Sequence, residues 1–240
     1  MWLRKKIIAL IPKQIKKKLL HYKAMLLDGY STRSYSVEGE DILLQRIFYG
    51  KTSGFFVDIG AHHPIRFSNT YKLYLQGWRG VNVEPNPDDF SLIEKYRAKD
   101  INVNCGIAQV KASLDFFMFD EPALNTFDKL LCDNRIEDGT YKHTKTIKVE
   151  VVPLSEILSK HTKDGVNIDF LNVDVEGFDL EVLKSNDWVK YRPSWVLVEQ
   201  LNLDNIESLD FALHVYMHSQ NYILFARTFN TLFYRNKAES

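Results

Sequence analysis

An α/β fold, with an open and mostly parallel sheet flanked by helices on both faces, is what this sequence predicts, and three observations carry the prediction. Short apolar runs recur with helix-like stretches between them, the signature of successive strand-helix-strand units. The first two runs, Phe55-Phe-Val-Asp-Ile-Gly-Ala61 and Val81-Asn-Val-Glu-Pro-Asn86, each end in an acid; strands buried on both faces read as continuous apolar runs and turn their carboxyl ends toward ligands. Finally, Tyr222 to Arg227 and Thr231 to Tyr234 flank Asn230 closely enough to close the sheet as an antiparallel pair.

Each element follows from local pattern. Glu38 to Phe48 has helical spacing and leads into the strand Phe55 to Ile59. Ser68 to Gln76 is a helix stopped by Gly77, and Gly80 to Val83 is the second strand. Pro87 to Ala98 reads as helix, Ile101 to Asn104 as a third strand and Ser113 to Phe119 as a hairpin-like strand. Asp120 to Lys145, rich in Asn, Asp, Gly and Thr with weak periodicity, reads as a loop-rich insertion placed to cover a site. Thr146 to Val152 is extended and Leu154 to His161 helical. Ile168 to Val173 is a buried strand, Leu180 to Leu183 lies in a helix, Trp195 to Val198 is a strand and Leu209 to Met217 a helix.

The two acids at strand ends suggest a nucleotide-type ligand. Asp58 and Glu84 are 26 residues apart, one strand-helix-strand step, and an acid ending the second strand can accept hydrogen bonds from both hydroxyls of an adenosine ribose. The tight Ile59-Gly60-Ala61 turn brings backbone close to that ligand. A dinucleotide site would use G-x-G-x-x-G around its pyrophosphate, yet only Gly60 is present, with His62, His63 and Pro64 following; no G-x-x-x-x-G-K-[ST] occurs either. A phosphate-free adenosine such as S-adenosylmethionine (SAM) fits better than a dinucleotide, which disfavours an oxidoreductase.

At 240 residues, 45% of them hydrophobic and 26% charged, the chain can bury one sizeable core. The formal net charge of zero is unevenly spread. Arg4, Lys5, Lys6, Lys13, Lys16, Lys17, Lys18 and Lys23 precede the first acid, Asp28, leaving 23 basic residues against 31 acidic ones thereafter, a net of −8. Residues 1–35 thus form a basic amphipathic segment and 36–240 an acidic domain. In residues 1–27, Lys and Arg interleave with Leu, Ile, Trp and Met at roughly helical spacing, which suits peripheral contact with an anionic membrane; packing on the acidic body is the competing reading. The apolar run Ile7 to Ile11 is too short for a signal-peptide core or a membrane span, so a cytoplasmic location is expected, peripheral on the inner face of the membrane if that contact forms. Cys105 and Cys132 have neither a C-x-x-C partner nor metal-ligand spacing and read as reduced and structural. The negative body lacks a basic stripe with interleaved aromatics, which argues against a nucleic-acid partner.

Several blocks in order carry a resemblance. Ser36-Val-Glu-Gly-Glu-Asp41, Val57-Asp-Ile-Gly-Ala-His-His-Pro64, Ser68-Asn-Thr70, Gly77-Trp-Arg-Gly80, Val83-Glu-Pro-Asn86 and Ile168-Asp-Phe-Leu-Asn-Val-Asp-Val-Glu-Gly177 together resemble FkbM-type SAM-dependent methyltransferases, from about Ser36 to Tyr234. The resemblance implies a Rossmann-like class I methyltransferase fold with a C-terminal antiparallel hairpin strand. It also implies O-methylation, typically of sugar or polyketide-derived hydroxyls and often in surface-glycan pathways, with a small-molecule or lipid-linked glycan as acceptor. The chain departs from many members at Asn172, where they carry Lys.

The expected donor site comprises Asp58, Gly60, Ala61, Glu84, Pro85 and Asn86, with Cys105 and Gly106 of the Asn104 to Ala108 segment near the adenine. Asn69 reads first as a helix-cap residue, and the resemblance adds a cofactor contact. In O-methyl transfer the acceptor hydroxyl loses a proton, so a carboxylate or His within reach can act as general base: Asp174 is the first candidate and His62 or His63 the second, with Glu176 projecting from the same edge. Glu199 ends another strand there and is placed to line the acceptor pocket. Paired acids could instead hold a divalent cation that lowers the hydroxyl's pKa. A non-catalytic SAM-fold or nucleotide-binding scaffold at a membrane assembly is the reading from another class, and the retained Asp58, Glu84 and Asp174 speak against it.

Overall fold

A computed structural model of the chain describes residues 12–26, 31–162, 165–201 and 211–239. The chain divides into two compact units, residues 1–34 and 35–240. In the first, Lys13–Leu26 forms helix α1, with no acid in its first turn and Lys23 in its last. Residues 1–11 of the basic segment lie outside the described residues.

The second unit is built on a seven-stranded sheet. In chain order its strands are β1 (Phe55–Ile59), β2 (Arg79–Val83), β3 (Ile101–Val103), β7 (Phe170–Val173), β8 (Trp195–Glu199), β9 (Tyr222–Arg227) and β10 (Thr231–Asn236). They lie side by side as β3-β2-β1-β7-β8-β10-β9. The pairs β3-β2, β2-β1, β1-β7 and β7-β8 are parallel, whereas β10 runs antiparallel to both neighbours. This is the mostly parallel sheet with a closing antiparallel hairpin that the sequence predicted.

Alternation along the strands separates two cores. Val57, Leu171, Val196 and Leu232 point to one face, where they meet Leu154, Ile157 and Leu158 of α6 (Leu154–His161), Val182 and Leu183 of α7 (Asp179–Lys184), and Leu213 and Met217 of α8 (Phe211–Ser219). Phe56, Phe170, Leu197 and Phe233, their neighbours in sequence, point to the other face and pack with Trp78, Leu44 of α2 (Glu40–Ile47) and Leu73 of α3 (Tyr71–Leu75). Period-two side-chain direction lets one strand feed both layers, which is why these strands read as unbroken apolar runs.

Two features differ from the sequence reading. A second sheet, β4-β6-β5, stands apart from the first: β5 (Ala112–Phe119) pairs antiparallel with β6 (His143–Val152), and the two-residue β4 (Gly106–Ile107) pairs parallel with β6. Between β5 and β6, the stretch expected to be loop-rich carries a 3₁₀ turn, Pro122–Leu124, and a full helix, α5 (Lys129–Asp138). Its caps were in the sequence: the Asp128 carboxylate accepts from the Leu130 and Leu131 amides, and Gly139 stops the helix at φ 71°. Its periodicity is weak because only Cys132 is buried, so no apolar stripe exists to be read. Both cysteines are free and buried. Among the described residues no helix is long and apolar enough to cross a membrane.

Candidate functional site at the carboxyl edge of the sheet

Strand register brings the site together. Ile59 is level with Val83 and Val173, and Val173 with Val198, so the residues that follow the four strands emerge at one edge. A cleft there is lined by Gly60, His62, Phe67, Glu84 and Pro85 from the first half of the sheet, and by Asp174, Val175, Glu176 and Glu199 from the second. The β5-β6 insertion adds Phe116, Pro122, Ala123, Asn125 and Phe127 to the wall. A narrower cavity lined by Cys105, Gly106 and Ile107 shares Gly60, Pro85, Phe127 and Val175 with the cleft and so opens from it.

Three non-glycine residues with positive φ, His62 (50°), Phe67 (58°) and Glu176 (55°), line this cleft. Such conformations cost of order 1–3 kcal/mol each and persist where surrounding contacts enforce them. The contacts are identifiable: the His62 amide donates to Glu84 Oε2 at 2.7 Å, and the Glu176 carbonyl accepts from Thr126 Oγ1 at 2.7 Å. Gly60, at φ 80°, lies against the β7 turn so tightly that a Cβ would sit 1.8 Å from the Asp174 carbonyl oxygen.

Glu84 is 5% exposed, and its two oxygens accept from the backbone amides of His62 and Asn86, at 2.7 and 2.8 Å. When ionised, a carboxylate has about four acceptor positions, of which the two amides occupy two. Burial pushes this carboxyl up to about 8, above the opposing effect of the two amide donors. Asp179, whose carboxylate accepts from the Val175 and Gly177 amides, is raised by burial to about 7. Both folded values exceed the unfolded ones, so the associated stability is complete below about pH 4 and is lost as pH rises through 7 and 8. The melting temperature should therefore fall between pH 5 and 9, and Glu84→Gln, which cannot titrate, should flatten the upper part of that fall. The expected contribution is a few kcal/mol, at about 1.4 kcal/mol per pKa unit; a melting profile unchanged by the substitution would refute it.

Across the cleft, Asp174, Glu176 and Glu199 each bring a carboxylate oxygen within 4.8 Å of the others. Burial first, and mutual repulsion second, holds Asp174 and Glu199 well above the usual carboxylate range. At that separation a proton shared between Asp174 and Glu199 relieves the repulsion. Glu176 is also raised, chiefly by burial, and its charge is met by Arg135 of α5, which donates to Oε2. Hard divalent cations favour such an oxygen set; the shared proton answers the same repulsion.

Residues 58–224 match the family described as the methyltransferase FkbM domain. The chain belongs to that family. The match begins at Asp58 within β1 and ends within β9, covering the parallel strands β2, β3, β7 and β8. No curated protein matches the chain.

In this FkbM methyltransferase domain the expected site residues fall into two groups. Gly60, His62, Glu84, Pro85, Asp174, Glu176 and Glu199 line the cleft, and Cys105 and Gly106 line the cavity that opens from it. The others sit behind the wall. Asp58 points to the aromatic core side, where Thr70 Oγ1 donates to Oδ2 at 2.7 Å and Asn172 Nδ2 to Oδ1 at 2.9 Å. Asn69 Nδ2 donates to Asn172 Oδ1 at 3.0 Å, and the 2%-exposed Arg97 donates to Thr70 while pairing with Asp100. Asn172 thus bridges Asp58 and Asn69 through its amide, a contact that needs no cation.

The amides of Gly60 and Ala61 both donate to the Val83 carbonyl, at 3.0 and 3.1 Å, which locks the β1 turn onto β2. Asn86 caps α4 (Pro87–Tyr96) through Asp88, and its own amide donates to Glu84. His63 Nδ1 accepts from the Ile65 and Arg66 amides and serves that turn. His62 Nδ1 lies 3.6 Å from Asp89 Oδ2, while its Nε2 is buried without a partner. Arg135 and Phe127 escaped the sequence reading, because nothing local links a charged helix or a lone aromatic to acids some 40 residues away.

Proposed function

We propose that this FkbM methyltransferase uses SAM to O-methylate a hydroxyl, in the cytoplasm, on a sugar or surface-glycan precursor that is either a small molecule or lipid-linked. The strand order β3-β2-β1-β7-β8-β10-β9, with β10 alone reversed, supports a Rossmann-like class I methyltransferase plan. The observation that carries the reading is Glu84: a buried carboxyl just past the second strand, beside the Gly60 turn, lining a cleft that has no phosphate-binding loop. Ionised, it keeps lone pairs for two ribose hydroxyl donors, whose hydrogen bonds favour the charged form that burial alone disfavours. The narrow cavity between Pro85, Ile107, Phe127 and Val175 offers apolar walls for an adenine ring.

Bound SAM would supply an electrophilic methyl group on a positively charged sulfur. The chain's part is to exclude water, to align the acceptor oxygen and to take its proton. Asp174 is the residue we assign to that proton, with the Glu199 carboxyl, an oxygen of which lies within 4.8 Å, placed to share it. We assign charge balance to this shared proton rather than to a divalent cation, because a carboxyl pair holding one proton is already half neutral. Glu176, clamped by Arg135, shapes the floor; His62, with its unpaired Nε2, is the alternative acceptor of the proton.

Calorimetry tests the donor. SAM should bind the purified chain, NAD and ATP should not, and Glu84→Ala should weaken SAM by about 1–3 kcal/mol, roughly 5- to 150-fold. Absence of SAM binding by the folded protein would favour a non-catalytic scaffold on this fold.

A further inference from the structure

We infer that helix α1 is a docking surface for anionic lipid bilayers. On a helix with 100° per residue, Ile15, Leu19, Tyr22 and Leu26 follow an i, i+4, i+7, i+11 spacing and fall on one stripe. They are 51%, 54%, 58% and 78% exposed. Lys16 and Lys23 lie along one border of that stripe and Lys18 along the other, with Lys13 and Lys17 on the far side. Long lysine stems reach from such borders to a headgroup plane while the stripe enters the acyl boundary.

Charge commits the occupant. Eight cations and no acid occur before Asp28, and the remainder of the chain is net −8, so an anionic surface attracts this segment and repels the rest. The attraction tips the chain onto the membrane through one element. A nucleic acid would meet the same cations, but it offers nothing to the Ile15-Leu19-Tyr22-Leu26 stripe, whereas a bilayer takes both halves of the helix. The length, 14 residues, suits a helix lying in the interface and not one crossing it. This inference is independent of the methyl-transfer reading; should both hold, the acceptor site works beside a membrane, which selects lipid-linked acceptors over free ones.

The test is co-sedimentation of the full chain with vesicles of phosphatidylcholine alone or with one-third phosphatidylglycerol. Binding is expected only to the anionic vesicles, at least ~10-fold above neutral ones, and should weaken as salt rises to 0.5 M. Reversal of three charges (Lys16→Glu, Lys17→Glu, Lys18→Glu) should lower partitioning by ~100-fold or more at low salt. A second variant, Leu19→Ser with Leu26→Ser, keeps every charge and should also reduce binding, with circular dichroism and melting temperature matching the parent so that the loss is not misfolding. Equal partitioning to both vesicle types would overturn the proposal. So would retained binding in both variants, dimerisation that the serine pair abolishes without any vesicle binding, or RNA binding that both variants leave as the sole activity.

Discussion

Replacing Asp174 by Asn should lower turnover by roughly 10²–10⁴-fold while leaving SAM affinity within about twofold, since an asparagine cannot take the acceptor's proton and general-base catalysis contributes that much. The same substitution relieves repulsion among three carboxylates whose oxygens lie within 4.8 Å of one another. Thermal stability should therefore be unchanged or higher, which separates loss of the base from loss of the fold. Single-turnover methyl transfer, a melting curve and calorimetry make the three measurements. Full turnover in Asp174→Asn would move the proton to Glu199 or His62. Glu176→Gln then offers a useful contrast: Arg135 compensates Glu176, so that variant should lose the ion pair and cost stability more than turnover.

The second large effect is structural. Gly60→Ala places a methyl group 1.8 Å from the backbone carbonyl oxygen of Asp174 and 2.9 Å from its carbonyl carbon, at φ 80°. Backbone atoms in the ends of two adjacent parallel strands cannot yield cheaply, so the β1 and β7 turns must part. We expect a loss of about 3–5 kcal/mol, beyond the ordinary cost of overpacking, and a melting temperature lower by roughly 6–20 °C for a chain of this size. Gly139→Ala is the matched control: φ is 71° but nothing lies within 4 Å of the added carbon. Only the backbone penalty of about 1 kcal/mol should appear there. Similar losses at both positions would mean that conformation alone, and not the contact between strand ends, makes Gly60 necessary.

These two substitutions show where the acids and the glycine act together. Gly60 is the reason Asp174 can stand beside the β1 turn, and the Glu84 carboxylate in turn holds the His62 amide in a strained conformation. A pocket assembled from the ends of four strands is rigid for this reason, and on the proposed reading that rigidity serves to align a methyl group with an oxygen.

Much of the fold was legible residue by residue. Phe55 to Ile59 and Leu154 to His161 have the bounds that apolar pattern predicts, and Asn230 marks the turn of the closing hairpin as expected. The family match over residues 58–224 spans most of the blocks that carry the resemblance, though not Ser36 to Asp41. The α5 helix was missed because its stabilisation comes from its caps and from one buried Cys132, with no apolar stripe to count. The separate β4-β6-β5 sheet was missed because a two-residue strand such as Gly106–Ile107 carries no periodicity of its own.

Local sequence by itself determined the strands, their parallel run, the acids that terminate them and the basic amphipathic character of α1, because period, burial and charge are properties of neighbouring residues. Tertiary structure alone decided which of those acids share a space. Asp58 and Glu84 end successive strands in the same way, yet the pleat turns Asp58 inward to Thr70 and Asn172, while Glu84 follows its strand's last residue and faces the cleft. Asp174, Glu176 and Glu199 became neighbours, and Arg135 their counter-charge, through strand order and an insertion folded over the edge. Pairing across a sheet sets distances between residues far apart in sequence, and no local pattern encodes those distances.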